Sequence, residues 1–575
     1  MASYWRADNV VQIGETKVEI PSENGLSYSG DGKISLYVPP SVKFMDGKKS
    51  YLSFNLKLAL PAGKPETLLQ LDHAGAGMLF KNIRIYDGTR GNLIEELNEY
   101  SSLVALKYDY DTDDSQRSIR AMEEGGTAYS LKNSGTLGSL KSEYTDTYTN
   151  PYFKEGAGKT AAPTSDDFTT VKCCVPLHAG VFSGKIFPVM MSNGLYMEFD
   201  LQPAARVIKQ LDTAVGDRKL QLSPVFHSVN GSFADGDWAD GATTTSIFLT
   251  TDNNLVGLDR VNACPFVVGE SVSCMKQSDF SEAGLSASFI ISGINACASG
   301  DGAGTIELVS DSAIQNDTGQ DITSGAWSVV SLSAKEQTTY NATYTVSDFN
   351  LIVHQVELDP KFEAGMVAKI REGKSIEFDI HSVTCYKNSL LATDRQTSFL
   401  VHAQNSRAKS LLVLPTDSKV YTSAELASSH NTYSIAENEA DLNLNSNRSG
   451  YTGICDFLSS VQYQIDGKLV PSRPVLTKKC ATRNSIDAFH LFELEKSLDN
   501  AGITPRSFTK FLDNWTLGRG FAVGSGAMDL RGKDLSVLLK YEEVSQPTKP
   551  KMVQSFVFHI RRLVMKGSGS VQVDM

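Results

Sequence analysis

The sequence predicts an all-β chain built as two tandem antiparallel sandwiches or barrels, and three observations predict it. Apolar and polar residues alternate with period two in segment after segment, helical periodicity is confined to short interruptions, and one local phrase is written twice. The phrase is Asn82-Ile83-Arg84-Ile85-Tyr86-Asp87-Gly88 and again Ser460-Val461-Gln462-Tyr463-Gln464-Ile465-Asp466-Gly467. Both are alternating strands that end in Asp-Gly, and each precedes a short helical stretch. At 575 residues the chain is about twice the length at which one hydrophobic core stops growing, so two large domains are expected.

The strands can be taken in order. Ile34, Leu36 and Val38 alternate with Lys33, Ser35 and Tyr37, and Leu52, Phe54, Leu56 and Leu58 alternate with Ser53, Asn55 and Lys57, which gives each strand one apolar face. Leu93 to Leu103 reads as a short amphipathic helix, with Glu95, Glu96 and Glu99 beside Leu93, Ile94, Leu97 and Leu103. Residues 105–170 are polar and aperiodic and are expected as a long surface excursion. Alternation returns at Leu195, Met197, Phe199 and Leu201, as an antiparallel sheet with one buried face requires. Between about 210 and 340 turn residues surround strand candidates such as Thr244–Leu249 and Ser288–Ile291, which predicts a structured insertion. Tyr344 to Leu358 supplies a long final strand.

The second half repeats the plan. Ile376, Phe378 and Ile380 alternate with Glu377, Asp379 and His381, and the apolar run Leu411–Leu414 follows. After a polar stretch at about 420–450 comes the repeated strand at Val461. Ser485 is placed to cap a helix running to Leu498, with Asp487 in its first turn and Ile486, Phe489, Leu494 and Leu498 available to pack beneath it. Strands follow at Asp534–Tyr541 and Ser555–Ile560. Doubly wound folds need a helix between most consecutive strands, so sandwiches or barrels are favoured, and jelly rolls fit best.

Little in the chain asks to be a catalytic or ligand site. The net charge of −12, from 66 acidic and 54 basic residues, argues against a general nucleic-acid-binding surface. No apolar stretch approaches the length of a membrane helix. The start, Met1-Ala2-Ser3-Tyr4-Trp5, has no apolar region of the secretory kind, so cytosolic synthesis and folding are expected. Eight cysteines (173, 174, 264, 274, 297, 385, 455 and 480) contain no CxxC pair and read as core thiols. The nine histidines form no HxH, HxxxH or HExxH arrangement. Asp109, Asp111, Asp113 and Asp114 read as a solvated acidic loop, lacking the glycine and distal glutamate of a helix-loop-helix calcium site. Gly518, Gly520 and Gly524 have no βαβ context, Gly156-Ala157-Gly158-Lys159-Thr160 lacks phosphate-loop spacing, and Ser525 lies in a Gly-Ser turn rather than a nucleophile elbow. No catalytic, cofactor-binding or metal residue is therefore assigned, no cofactor is expected, and the chain reads as a non-enzyme.

Several ordered segments resemble a known family. They are Cys174-Val175-Pro176-Leu177-His178-Ala179-Gly180-Val181-Phe182 through Phe187-Pro188-Val189-Met190 into Leu195–Phe199, then Tyr344–Phe349 ending at Val356–Leu358. In the second half, Val461 through Ile465-Asp466-Gly467 to Pro471 and then Phe492-Glu493-Leu494 continue the likeness. Their order and spacing resemble the double jelly-roll major capsid proteins of icosahedral double-stranded DNA viruses, particularly the virophage and polinton-like branch; 210–340 does not match strand for strand. The resemblance implies two jelly rolls side by side, homotrimers forming pseudo-hexameric capsomers, and a virion location after assembly in the host cytoplasm. Implied partners are further copies of the chain, penton proteins and minor capsid proteins, without sequence-specific nucleic-acid binding and without a transmembrane segment.

On this reading 1–25 is an N-terminal arm, 26–360 the first jelly roll with its loop at 105–170 and insertion at 210–340, and 361–374 a connection. Residues 375–562 form the second jelly roll and 563–575 a C-terminal tail whose Gly567-Ser568-Gly569-Ser570 run, like the N-terminal arm, would reach neighbours or minor capsid proteins. The alternative is a β-sandwich that binds or cleaves glycans, which would require paired carboxylates about 5 to 9 Å apart.

Overall fold

A computed structural model of the chain describes residues 12–59, 68–72, 74–113, 116, 119–120, 123–125, 170–183, 186–211, 219–221, 227–228, 231–232, 237–250, 271–276, 285–296, 305–317, 319, 321–323, 327–331, 343–391, 394–418, 451, 453–454, 458–477, 488–506, 515–521, 526–541, 550–566 and 571–574. The first unit is built from β1 (Gln12–Pro21), β2 (Lys33–Val38), β3 (Met45–Ala59), β4 (Phe80–Asp87), β5 (Leu93–Leu97), β6 (Thr170–Pro176), β7 (Leu195–Leu201) and β8 (Thr343–Leu358). They form two sheets, ordered β1-β8-β3-β6 and β2-β7-β4-β5, with every pairing antiparallel. That connectivity is a jelly roll.

The second unit contains β9 (Ile376–Leu390), β10 (Gln396–Val401), β11 (Ala408–Asp417), β12 (Leu458–Ile465), β13 (Lys468–Leu476), β14 (Leu517–Gly520), β15 (Leu535–Tyr541) and β16 (Lys551–Met565). Its sheets run β9-β16-β11-β14 and β10-β15-β12-β13. Adding eight to each label of the first roll gives the second, so the fold is a double jelly roll. The repeated phrase falls on β4 and β12, the same strand of each roll. Helix α1 (Tyr100–Asp111) and helix α3 (Ala488–Ala501) both lie between the fifth and sixth strands of their rolls. Helix α2 (Pro360–Arg371) joins the rolls.

Alternation is what buries the sheets. Ile34, Leu36, Leu52, Phe54 and Leu56 are sealed in the first roll, and Ile376, Phe378 and Ile380 in the second. Phe54 on β3, Phe349 on β8, Phe80 on β4 and Phe199 on β7 interlock across the sandwich, with ring centroids 5.5 to 6.1 Å apart. Two rings come from each sheet, so the cluster ties the layers together; edge-on and offset arrangements of this kind add to plain area burial. Asp466 (φ 49°) and Gly467 (φ 76°) form the two-residue turn joining β12 to β13, where both positions need the left-handed region.

Some expectations change. Leu93–Leu97 is strand β5, paired with Ile83–Tyr86, because the open edge of β4 takes it up, and the helix begins only at Tyr100. Residues 105–111 of the expected excursion belong to that helix, which is wrapped on nearly all sides: Tyr100, Leu103, Leu106, Tyr108 and Tyr110 are buried. The expected arm 1–25 contains β1, whose Val18 and Ile20 pair with Val353 and Leu351 of β8; residues 1–11 lie outside the described residues. The expected tail likewise ends in a short strand, Val571–Asp574, hydrogen-bonded to Arg562–Met565, while 567–570 lie outside the described residues. The second-roll helix is described from Ala488, so Ser485, Ile486 and Asp487 lie outside the described residues. Leu494 and Leu498 are buried in it, whereas Phe489 is exposed.

Between β7 and β8 a six-stranded antiparallel sheet carries its own core, which includes Trp238, Ile247, Val272, Ile291, Leu308 and Trp327. No described helix is long and apolar enough to cross a membrane.

Candidate functional site

The most heavily built polar region of the chain is the seam between the two rolls. It begins with the sequence Leu93-Ile94-Glu95-Glu96-Leu97. As a strand, this puts Glu95 and Leu97 on one face and Ile94 and Glu96 on the other. Glu96 turns to Arg84 on β4, Nε to Oε1 at 3.0 Å. Glu95 is sealed, and its Oε2 accepts the backbone N–H of Gly180 at 2.7 Å. Burial raises the Glu95 carboxyl above its ordinary range, while Ser382, Arg561 and the Gly180 and Val181 N–H groups offset part of that rise.

The second roll supplies the cation. Arg561 on β16 is 8% exposed and donates from Nη1 to the carbonyl of Ile94 at 2.8 Å, capping an outward-facing acceptor on the edge strand β5. Burial lowers its pKa, and Glu95 and Glu96 work against that. One turn away, buried Glu99 receives Lys387 of β9 and lies 3.8 Å from Arg206 Nη2. Arg206 in turn stands over the Tyr451 ring at 5.2 Å. Arg561 on Ile94, Lys387 on Glu99 and Arg206 over Tyr451 each join one roll to the other, while the Glu99–Arg206 contact lies within the first.

Apolar packing closes the same seam. Phe187 of the first roll meets Phe378 of β9 edge-on, with centroids 5.4 Å apart, and one continuous core runs through both rolls. Gly180 sits where a side chain has no room: a Cβ there would lie 2.4 Å from the His381 carbonyl oxygen. At the elaborated end, the Arg506 N–H donates to Tyr110 O at 2.8 Å, and Arg506 faces Asp113 at 3.7 Å. At the opposite end Lys43 pairs with Glu363 of α2 at 2.9 Å. The seam is therefore continuous from end to end, which fixes the two rolls as one rigid block.

The residues singled out in the sequence are accounted for here. The aspartate cluster is divided: Asp109 is buried within α1, Asp111 pairs with Arg120 at 3.4 Å, Asp113 faces Arg506, and Asp114 lies outside the described residues. The expected solvated loop is thus wrong for Asp109, because α1 is surrounded by protein. Gly518 and Gly520 serve close packing, since Cβ atoms there would come within 2.6 Å of Ser497 and 2.3 Å of Asn500 on α3. Gly156–Thr160 and Gly524–Ser525 lie outside the described residues. Cys173 and Cys274 are buried thiols outside any disulfide, and burial pushes Cys274 up to about 12. Among the described residues no three or more His, Cys, Asp or Glu side chains gather as a metal site would require.

Sequence reasoning missed Glu95, Gly180 and Arg561, which come from β5, the β6–β7 connection and β16. The only local signal was two adjacent glutamates in an otherwise apolar strand, which also fits an amphipathic helix.

No protein-family model matches the chain, and no curated protein matches it by sequence. Among solved structures it is similar to the PBCV-1 virus capsid at 10% identity and a TM-score of 0.45, covering 100% of this chain and 99% of that one. It is similar to the Faustovirus major capsid protein at 9% identity and a TM-score of 0.44, covering 98% and 92%. Mavirus major capsid protein is similar at 11% identity and a TM-score of 0.38, covering 100% and 95%. At these values the likenesses carry no argument about function; the strand order given above defines the fold.

Proposed function

We propose that this chain is a major capsid protein: a wall-forming subunit whose copies join as homotrimers, present six rolls as a pseudo-hexameric capsomer, and tile an icosahedral shell. The observation that carries the reading is the duplication itself, two rolls of one connectivity locked side by side by a buried seam. Three such copies supply six similar units, the number that a hexagonally packed block needs.

The connections support a wall with two different ends. Strands alternate in direction along each roll, so the connections after odd-numbered strands leave from one end. There lie the long ones: 60–79, 98–169 and 202–342 in the first roll, 418–457 and 477–516 in the second. The other end carries short turns such as 88–92 and 466–467. Helix α2 links the end of β8 to the start of β9 at that short-turn end, which sets the rolls in the same orientation. Connections far longer at one end than at the other suit a surface with an outside and an inside. Penton and minor capsid proteins are the further partners of this reading, and the virion is its location.

Light scattering on the purified chain after size-exclusion chromatography, followed by negative-stain imaging, tests the proposal. A stable particle of three chain masses with a hexagonal outline, or spontaneous shells, is expected. A monomer at all concentrations would overturn it.

A further inference from the structure

We propose that the short-turn end of the block, around helix α2, is a sequence-independent docking surface for the phosphate backbone of double-stranded nucleic acid. The inference rests on the capsid reading and assigns the end of the wall that meets an enclosed polyanion.

The net charge of −12 conceals a division along the strand axis. The segments leaving from the long-loop end (22–32, 60–79, 98–169, 202–342, 391–395, 418–457, 477–516 and 542–550) hold 45 acidic and 25 basic residues. The segments joined to the short-turn end (1–11, 39–44, 88–92, 177–194, 359–375, 402–407, 466–467, 521–534 and 566–575) hold 8 acidic and 12 basic residues. One end therefore repels a duplex and the other admits it. A surface that the sum over the whole chain argues against is permitted once topology has sorted the charges.

The described residues place open cations at that end. Lys48 on β3, Lys361 and Arg371 on α2 and Lys566 just after β16 are exposed, and none has an ion-pair partner among the described residues. They share the end because β8 runs into α2 and α2 into Ile376, which faces Met565, the neighbour of Lys566. Strand β3 enters beside them, where Lys43 holds Glu363 of α2. Most carboxylates of the region are taken up locally. Asp46 Oδ1 accepts the N–H groups of Lys48 and Lys49 at 3.1 and 3.4 Å, and Asp359 Oδ1 accepts that of Lys361 at 2.8 Å. Glu15 and Glu372 are paired with Lys49 and Lys374. Exposed Glu357 is the carboxylate left over, set against four open cations.

The same surface discriminates against a lipid bilayer. The exposed face of α2 is Ala364, Gly365 and Ala368, too little apolar area for interfacial burial. Cations held on the rigid end of a sandwich, without aromatic anchors on the helix, suit a regular array of phosphates. Each phosphate neutralised contributes about −0.9 to the slope of log affinity against log salt, so four contacts per chain give a slope of about −3 to −4. Such binding is weak for one chain and is multiplied when many copies face one duplex.

The test is fluorescence anisotropy of a short labelled duplex DNA of mixed sequence, titrated with the full chain at several salt concentrations, with light scattering on the same samples. Binding at about 10⁻⁴–10⁻⁶ M is expected, equal for a second duplex of unrelated sequence. Lys361→Gln with Arg371→Gln should weaken it about tenfold and reduce the salt slope by about two. Lys57→Gln with Lys172→Gln, at the long-loop end of the sandwich, should leave binding unchanged. Thermal melts verify that every variant remains folded. Trimers that bind no duplex, an equal loss from the Lys57 and Lys172 variant, or tighter binding to phosphatidylserine vesicles than to duplex would overturn this inference and leave the capsid reading in place. A chain that stays monomeric at all concentrations would overturn the capsid reading on which the inference rests.

Discussion

Replacing Arg561 with methionine should weaken the seam by an amount that depends on pH, and the geometry gives both the size and the sign. The substitution removes the bond from Nη1 to the Ile94 carbonyl and leaves that buried acceptor unpaired, which costs about 1–3 kcal/mol. It also strips Glu95 of the nearest cation of the second roll. Arg561 acts on Glu95 through space rather than as a direct ion pair, so leaving that carboxylate less compensated costs less than the full loss of a buried pair, about 2 kcal/mol. That second contribution exists only while Glu95 is ionised. The folded Glu95 carboxyl already titrates above its unfolded value, so its contribution to stability is fully present below the unfolded value and is lost as pH rises through the folded one. Arg561→Met raises the folded value further and carries the loss upward in pH. Calorimetric melts of native and variant chains at an acidic and at an alkaline pH should therefore show the smaller deficit, nearer the hydrogen-bond figure, at the lower pH and up to about 2 kcal/mol more at the higher. Adding Glu95→Gln to Arg561→Met should remove the difference between the two pH values. An equal deficit at both, or no relief from Glu95→Gln, would refute the account of this seam.

Gly180→Ala should lower the melting temperature, at a cost of about 1–3 kcal/mol, because its Cβ meets the His381 carbonyl and the rolls must part to admit it. Gly365→Ala in α2, where a Cβ meets nothing within 4 Å, should instead stabilise by up to about 1 kcal/mol in the same melts. Phe349→Ala opens the middle of the four-ring cluster and should cost about 3–5 kcal/mol, read as a shift of the denaturation midpoint. His559 is held neutral by burial and by Arg561, with its pKa pushed down to about 3. Its contribution is therefore present above the ordinary histidine value and lost as pH falls from there toward 3, and His559→Gln should flatten the acid limb of the stability profile.

Much of the architecture is legible in the chain because period-two alternation is a local consequence of strand geometry. Leu52-Ser53-Phe54-Asn55-Leu56 has one apolar face whatever surrounds it, and the sealed state of Leu52, Phe54 and Leu56 follows. The repeated Asp-Gly phrase is legible for the same reason at Asp466-Gly467, where the turn itself demands residues that accept positive φ. At Asp87 the same letters do other work, since the Asp87 carboxylate accepts from Thr89, Gly91 and Asn92, and Gly88 packs against Asn193.

What the letters do not carry is the neighbour across a distance. Leu93–Leu97 fits a helix by spacing and becomes a strand because β4 offers it an edge; propensity over five residues is too weak to resist a ladder of hydrogen bonds. Asp109 looks solvated by composition and is buried because α1 is enclosed by protein on nearly all sides. Glu95, Arg561 and Gly180 lie as far as 466 positions apart along the sequence, by the numbers of Glu95 and Arg561, and meet only when the two rolls dock. The sequence by itself determined that this protein is two copies of an antiparallel β unit with short helices, since alternation, turns and repetition are read within one strand or hairpin. Only the tertiary structure decided that the β5 edge is covered by the second roll, because covering an edge depends on the shape and charge of a surface assembled from residues hundreds of positions away.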